Sequence, residues 1–200
     1  YDITAWALPY AFGLNAFACE TEVPFKGEIP ESNEFWISPI PKDSKDAFAY
    51  VCKWNSMESA RFLERLLSTN VKVKYAKKSF QLDGNLYEPG TLVIARGENS
   101  ELNIDSLIIK ASKSLELQMN TCRTGYVEKG NDFGSSSYHE IQSPKIALLA
   151  GEGHSPLNTG EIWHYLEQRL NTPLLMLRPN DILDSELSNL DVLMVPEGRL

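Results

Sequence analysis

Apolar and polar residues between positions 47 and 70 predict a strand followed by a helix. The run Phe48–Cys52 is apolar throughout and predicts a short strand. Asn55 and Glu58 have the spacing of a capping box and predict the start of a helix, which Asn70 is expected to end. Helical spacing assigns the buried face of this helix to Ala60, Phe62, Leu63, Leu66 and Leu67.

The pattern after Asn70 predicts two more strands and a second helix. Val71–Tyr75 alternates apolar and polar residues, which is typical of a half-buried strand. Asp83-Gly84 and Pro89-Gly90 are turn signals, and the second precedes the predicted strand Thr91–Ala95. Apolar residues at helical spacing predict the second helix over Ile104–Met119. The alternation of strands and helices indicates an α/β unit.

A polar stretch then separates this unit from a second α/β pattern. Residues 125–143 are rich in glycine and serine and predict a linker or an exposed loop. Three apolar strands are predicted at Lys145–Ala150, Leu174–Leu177 and Val192–Val195, with a short helical stretch over 182–190. Apolar strands that alternate with helices indicate a parallel sheet covered on both faces.

The helix between the first two of these strands is expected to begin at Asn158, which forms a second capping-box pattern with Glu161. Its buried face is predicted to consist of Ile162, Trp163, Leu166 and Leu170. We therefore expect Trp163 to be largely buried against the parallel sheet.

These patterns divide the chain into three parts. Residues 1–22 are apolar and aromatic and are expected to end an upstream domain. Residues 23–142 are predicted to form a small α/β accessory domain, and residues 143–200 to begin a truncated flavodoxin-like domain with a parallel sheet. The chain opens without an initiator Met and closes in a strand pattern, so we expect an internal piece of a longer protein.

Composition narrows the classes of partner. The net charge is −8, and the 19 basic residues are scattered, which disfavours nucleic acid and anionic membranes. No apolar run approaches the roughly 20 residues of a membrane-spanning helix. Cys19, Cys52 and Cys122 are widely spaced and form no CxxC pair, so they leave the redox compartment open. Cys52 lies in an apolar run and is expected to be a core residue.

Two groups of residues suggest hydrolytic chemistry but lack the rest of a site. His164 and Glu167 have an HxxE spacing that can place two zinc ligands, yet no later residue is a histidine that could be the third ligand. An exposed polar pair on a helix explains them as well. His139 and Glu140 follow three serines, Ser135–Ser137, without the strained turn that exposes a nucleophilic serine. We expect no catalytic residue and no metal site in this chain.

The loop after the first parallel strand is the predicted binding site. Open α/β sheets bind ligands where a strand ends and a helix begins, and helix amides there favour an anion. Gly151 and Gly153 would let a ligand approach the backbone, while His154 and Ser155 would contact it. The alternative is that Gly151–Pro156 is only a tight turn, since the third glycine of a dinucleotide-binding motif is missing.

Nearly the whole chain resembles one family. The opening stretch YDITAWALPYAFGLNAFA resembles the region that follows the peptidase portion in bacterial zinc carboxypeptidase-like proteins of the M14 type. Later parts of the same C-terminal region are similar to Tyr50–Asn70, Tyr87–Ile94, Thr124–Ser135 and Ser143–Leu149. Gly160–Trp163 and Asp191–Gly198 resemble the opening of a class I glutamine-amidotransferase-like domain appended in that family.

The resemblance implies a secreted or periplasmic parent that removes C-terminal residues from peptides with zinc. The zinc would lie in the upstream peptidase domain, so no cofactor is expected in this chain, and His164 and Glu167 do not match the family's zinc motif. An amidotransferase nucleophile would follow a later strand, beyond Leu200. The implied function is a non-catalytic, structural or substrate-positioning region. Its partners would be the rest of the parent chain and a peptide or cell-wall substrate. The alternative is a small-molecule or peptide-binding α/β module that uses the Gly151–Pro156 loop.

Overall fold

The computed structural model of the chain describes residues 17–22, 24, 46–182 and 187–198. The predicted N-terminal part, 1–22, and the beginning of the predicted 23–142 domain therefore lie mostly outside the described residues. Every described helix and strand lies after residue 45, in an antiparallel unit followed by a parallel one.

Seven strands and two α-helices form the first unit. The strands are β1 (Ala49–Cys52), β2 (Lys74–Ala76), β3 (Phe80–Leu82), β4 (Asn85–Tyr87), β5 (Leu92–Ala95), β6 (Met119–Cys122) and β7 (Tyr138–Glu140). The helices are α1 (Met57–Leu67) and α2 (Ile104–Ser112). Five strands form an antiparallel sheet in the order β6-β1-β5-β2-β7, while β3 and β4 form a hairpin. Asp83 and Gly84 turn this hairpin with positive φ angles of 48° and 72°.

The sheet separates two cores, because successive side chains of a strand point to opposite faces. Tyr50 and Cys52 of β1 face the core that also contains Phe62 of α1 and Ile108 of α2. Ala49 and Val51 face a second core. Stacked and edge-on aromatic rings dominate that second core, which contains Phe80, Tyr87, Phe133 and Tyr138.

The second helix is shorter than predicted. It ends at Ser112, and Met119, which was expected at its C-terminal end, begins strand β6 instead. Leu115 and Met119 are both buried, with Leu117 partly buried between them. This alternation at every second residue is the spacing of extended chain, so the helix prediction was wrong for the last turns.

The polar stretch 125–143, predicted as a linker or an exposed loop, is largely exposed but belongs to the first unit. It contributes β7, an edge strand of the antiparallel sheet, through pairing with β2. Phe133 and Tyr138 anchor the stretch in the aromatic core, and the Tyr138 hydroxyl donates to the Asn131 carbonyl at 2.9 Å. Two aromatic side chains therefore fix a segment whose composition resembles that of a loop.

The second unit contains a three-stranded parallel sheet. Its strands are β8 (Ile146–Leu149), β9 (Leu174–Leu177) and β10 (Val192–Met194), in the order β10-β8-β9. Helix α3 (Pro156–Trp163) follows β8 and continues directly into a π-helix, His164–Leu170. The prediction of a mixed α/β chain with a parallel sheet in its second part is confirmed. The sheet is less covered than predicted: β8 is buried along its length, whereas Leu175 and Leu193 on the flanking strands are exposed.

Both helix starts differ from the predicted capping boxes. Ser56, and not Asn55, precedes α1, and its side chain makes no capping hydrogen bond. Ser155, and not Asn158, caps α3: its hydroxyl accepts a hydrogen bond from the Asn158 amide at 3.4 Å. Pro156 then fits the first turn, where a missing N–H group costs nothing.

Trp163 is not buried as predicted. Its side chain is 37% exposed, whereas Leu166 on the same predicted face is buried. The π-helix explains the difference, because its i→i+5 bonding widens the turn immediately after Trp163. Residues on either side of the transition therefore no longer follow the 3.6-residue spacing that placed them on one face. In the described part of the chain, no helix combines the length and the apolar character needed to cross a membrane.

Candidate functional site

A cleft of about 930 Å³ opens at the carboxyl ends of β8 and β9. One wall follows β8 and the other follows β9, and the Ala150 amide joins them by donating to the Leu177 carbonyl at 2.8 Å. The lining residues are Ala150, Gly151, Glu152, Met176, Leu177, Arg178, Pro179, Asn180 and Asp181. The cleft lies where a parallel sheet leaves room for a ligand.

The wall after β8 depends on glycine. Gly151 has a φ of 114° and Gly153 one of 89°, a region that side chains with a Cβ rarely adopt. A Cβ on Gly151 would also approach the Pro179 ring across the cleft at 3.9 Å. Gly151 therefore allows the turn and lets Glu152 line the cleft.

The wall after β9 is a short turn that closes on itself. The Asp181 carboxylate accepts from the Arg178 amide at 3.3 Å, and the Asp181 amide donates to the Arg178 carbonyl at 3.0 Å. These bonds fix a turn that places Arg178, Asn180 and Asp181 along the cleft. With Glu152 opposite, the site presents both signs of charge and can bind a carboxylate and an ammonium group together.

A smaller groove of about 250 Å³ adjoins the cleft. It is lined by Gly151, His154, Pro156, Thr159, Gly160, Trp163 and Met176. Gly151 and Met176 belong to both cavities, so the groove begins where the polar cleft ends. Among the lining residues that the structure describes, none is an Asp, Glu, Lys or Arg, and the groove is suited to apolar groups.

Two of the four predicted site residues line these cavities. Gly151 lines both, and His154 lines the groove. The His154 ring is only 9% exposed, however, and its Nδ1 lies 3.3 Å from the carbonyl oxygen of Pro196. The ring is therefore held by the loop after β10.

Gly153 and Ser155 line neither cavity. The Ser155 amide donates to the Glu197 carbonyl at 2.8 Å, and the Ser155 hydroxyl caps α3. A Cβ on Gly198 would lie 2.4 Å from the Gly153 carbonyl oxygen, which shows how closely the two loops approach. With Pro156 lacking an N–H group and the Asn158 amide already bonded, the start of α3 offers little to an anion.

Sequence reasoning missed the wall after β9. Its signal was present in the sequence, because Arg178–Asp181 directly follows the apolar strand Leu174–Leu177. Neighbouring parallel strands end at the same edge of a sheet, so the turns after both strands belong to one crevice. The predicted site included only the turn after the first strand.

The other candidate groups are engaged in local contacts. The Glu167 carboxylate accepts from the Trp163 indole at 2.6 Å, while His164 is exposed. His139 Nε2 lies 3.0 Å from the Ser136 carbonyl oxygen rather than from a serine hydroxyl. Within the described residues, no three His, Cys, Asp or Glu side chains come together as metal ligands.

The two buried cysteines are core residues. Burial raises the pKa of the Cys52 thiol to about 12 and that of Cys122 to about 11. Both thiols therefore stay protonated at neutral pH, and the thiolate is the nucleophilic form. They also face opposite cores of the antiparallel sheet, which separates them from each other.

The polar cleft and the apolar groove thus lie side by side, with Gly151 and Met176 lining both. The charged groups of the cleft stand on short, hydrogen-bonded turns, and the apolar wall of the groove stands on α3. No family model, no curated protein and no solved structure matches this chain.

Proposed function

We propose that this chain is a non-catalytic accessory region that binds a small zwitterion, such as an amino acid or the end of a peptide. The observation that carries the proposal is the placement of opposite charges around one cleft, with Arg178 on one wall and Glu152 on the other. Arg178 can hold a carboxylate through two parallel hydrogen bonds, while Glu152 and Asp181 favour an ammonium group.

The position of the cleft supports binding rather than a purely structural role. It opens at the carboxyl ends of two parallel strands, where ligands of open α/β sheets bind. Its volume of about 930 Å³ accommodates an amino acid or a short peptide end.

We also propose that residues 143–200 begin a flavodoxin-like, class I glutamine-amidotransferase-like domain. The order β10-β8-β9 supports this, since it places the first strand of the unit between the second and the third. Flavodoxin-like sheets begin with the same order.

In the M14 carboxypeptidase-like parent that the sequence resembles, the cleft would hold a peptide for a zinc peptidase domain elsewhere in a secreted or periplasmic protein. A site for peptide ends agrees with such a partner, because carboxypeptidases act on the ends of peptides. Zinc would then belong to the peptidase domain of the parent.

Calorimetric titration of the whole chain tests the binding proposal. We expect an amino acid to bind, and expect N-acetylation or amidation of its charged groups to weaken binding. Arg178→Gln should weaken binding at least about tenfold, since it removes a charged hydrogen bond to the carboxylate. Lys78→Gln is the matched control. Lys78 is exposed in the first unit, and the substitution removes one positive charge there, as Arg178→Gln does in the second unit. An equal loss of affinity in both variants contradicts the proposal. The absence of amino-acid binding to the native chain also contradicts it.

A further inference from the structure

The apolar groove adjoins the polar cleft on the side of α3. Met176 and Gly151 form the boundary, so a ligand whose charged groups lie in the cleft can extend a side chain directly into the groove. The Trp163 indole and Met176 are both partly exposed there, at 37% and 46%. With an open apolar surface beside a charged cleft, the binding free energy is most favourable for a ligand that carries both charged and apolar groups.

Gly160 gives a second reason to regard the groove as a pocket. Glycine inside a helix is unfavourable by about 0.5–1 kcal/mol relative to alanine. A Cβ on Gly160 would meet no atom within 4 Å, so packing within the described fold does not require glycine here. Because Gly160 lines the groove, the missing side chain leaves open the space that an incoming group would occupy.

The apolar wall is fixed before any ligand arrives. The Trp163 indole donates to the Glu167 carboxylate at 2.6 Å, which fixes the orientation of the ring. One turn earlier in the same helix, the Thr159 hydroxyl donates to the Ser155 carbonyl at 2.8 Å, so its polar group is directed into the helix. A preformed wall lowers the entropy lost on binding.

We propose that the groove is a side-chain pocket that selects amino acids or peptide ends with an apolar side chain. This inference rests on the proposed function, since the cleft must hold the charged groups of the same ligand. Charged side chains are disfavoured, because among the described residues that line the groove only His154 is titratable, and its Nδ1 faces the Pro196 carbonyl.

Titrations of the whole chain with glycine, leucine, methionine, lysine and glutamate test the pocket. Leucine and methionine should bind about tenfold more tightly than glycine, because they bury apolar surface in a half-open groove. Lysine and glutamate should bind no better than glycine. The Trp163 indole NMR signal should shift with leucine and remain in place with glycine.

Gly160→Leu should fill the groove and reduce the affinity for leucine to the level of glycine. Gly134→Leu is the matched control, since a Cβ there also meets no atom within 4 Å and Gly134 lies in the first unit. If Gly160→Leu does not fold, Gly160→Ala replaces it, because alanine favours the helix and should still reduce the preference for leucine.

The outcomes separate the two proposals. Equal affinity for glycine, leucine and lysine overturns the side-chain pocket and leaves the zwitterion cleft in place. Unchanged leucine binding in Gly160→Leu also overturns the pocket. Failure of every amino acid to bind overturns the cleft and the pocket together.

Discussion

Asn99 joins two parts of the antiparallel unit through its buried side chain. Its Nδ2 donates to the carbonyl of Lys72 at 3.1 Å and to that of Ala95 at 2.9 Å. Its Oδ1 accepts from the Lys72 amide at 2.8 Å. The Asn99 side chain thereby provides hydrogen-bond partners for the backbone of Lys72, just before β2, and for the carbonyl of Ala95 at the end of β5. This role could not be predicted from the sequence, because an asparagine shortly after Gly97 is typical of an ordinary turn.

Replacing Asn99 with alanine should lower the free energy of unfolding by about 2–4 kcal/mol, because several buried backbone groups lose their partner at once. Urea denaturation followed by circular dichroism measures the change. Asn131→Ala is the control, since Asn131 is exposed, and it should cost less than about 0.5 kcal/mol. Similar losses in the two variants would show that the bonds of Asn99 add little.

Individual helices and strands were predictable where the apolar residues follow one spacing, either helical or extended. The strands near Phe48–Cys52 and Thr91–Ala95 and the first helix were found, and Asn70 ends that helix region with a φ of 58° as a left-handed residue should. The second helix was extended too far because Leu115 and Met119 also fit helical spacing, being four residues apart.

The candidate site was half predictable for a similar reason. A rule about the carboxyl end of one strand located Gly151, but the cleft also needs the turn after β9. The contact of His154 with Pro196 could not be foreseen, because it depends on how closely the loops after β8 and β10 approach. The distance between these two loops cannot be predicted from the spacing of residues along the sequence.

The exposure of Trp163 changes the stability expected of its variants. The buried position predicted from the sequence would make Trp163→Ala cost about 3–5 kcal/mol. Because its side chain is 37% exposed, we expect less than about 2 kcal/mol. Phe62→Ala is the comparison, since Phe62 is fully buried under α1 and should show the larger cost. Denaturant melts that rank the two variants in the opposite order would contradict this assignment of faces.

At the scale of the whole molecule, the two units meet where α1 packs against the π-helix. Arg61 Nε donates to the Arg169 carbonyl at 3.1 Å across this junction. Burial raises the pKa of Glu64, and the nearby Thr172 hydroxyl opposes the shift. Thr172 Oγ1 is itself buried without a hydrogen bond of regular geometry. The junction therefore contains polar groups that are incompletely satisfied.

Glu64→Gln should stabilise the protein at neutral pH and have little effect under acid conditions. A carboxyl whose folded pKa is raised contributes most below its ordinary value of 4.5, and this contribution is lost as the pH rises through the folded pKa. Glutamine stays neutral at every pH, so the variant does not lose this stability. Its free energy of unfolding should therefore exceed that of the native chain above about pH 4.5 and still do so at pH 7.

Thermal melts of Glu64→Gln between pH 4 and pH 8 measure the effect, with Glu101→Gln as the exposed control. A midpoint difference between Glu64→Gln and the native chain that stays constant across this range would show that burial of the carboxylate is not its cause.

The π-helix makes the shape of the site depend on chain length as well as on side-chain identity. A widened turn contains more residues than an α-helical turn, so removing one residue between His164 and Leu170 would let regular i→i+4 bonding resume. Trp163 would then share a face with Leu166 and rotate away from Met176. A one-residue deletion could close the apolar groove while leaving Arg178 and Glu152 in place, and would change which ligands are accepted without replacing any residue that lines the cleft.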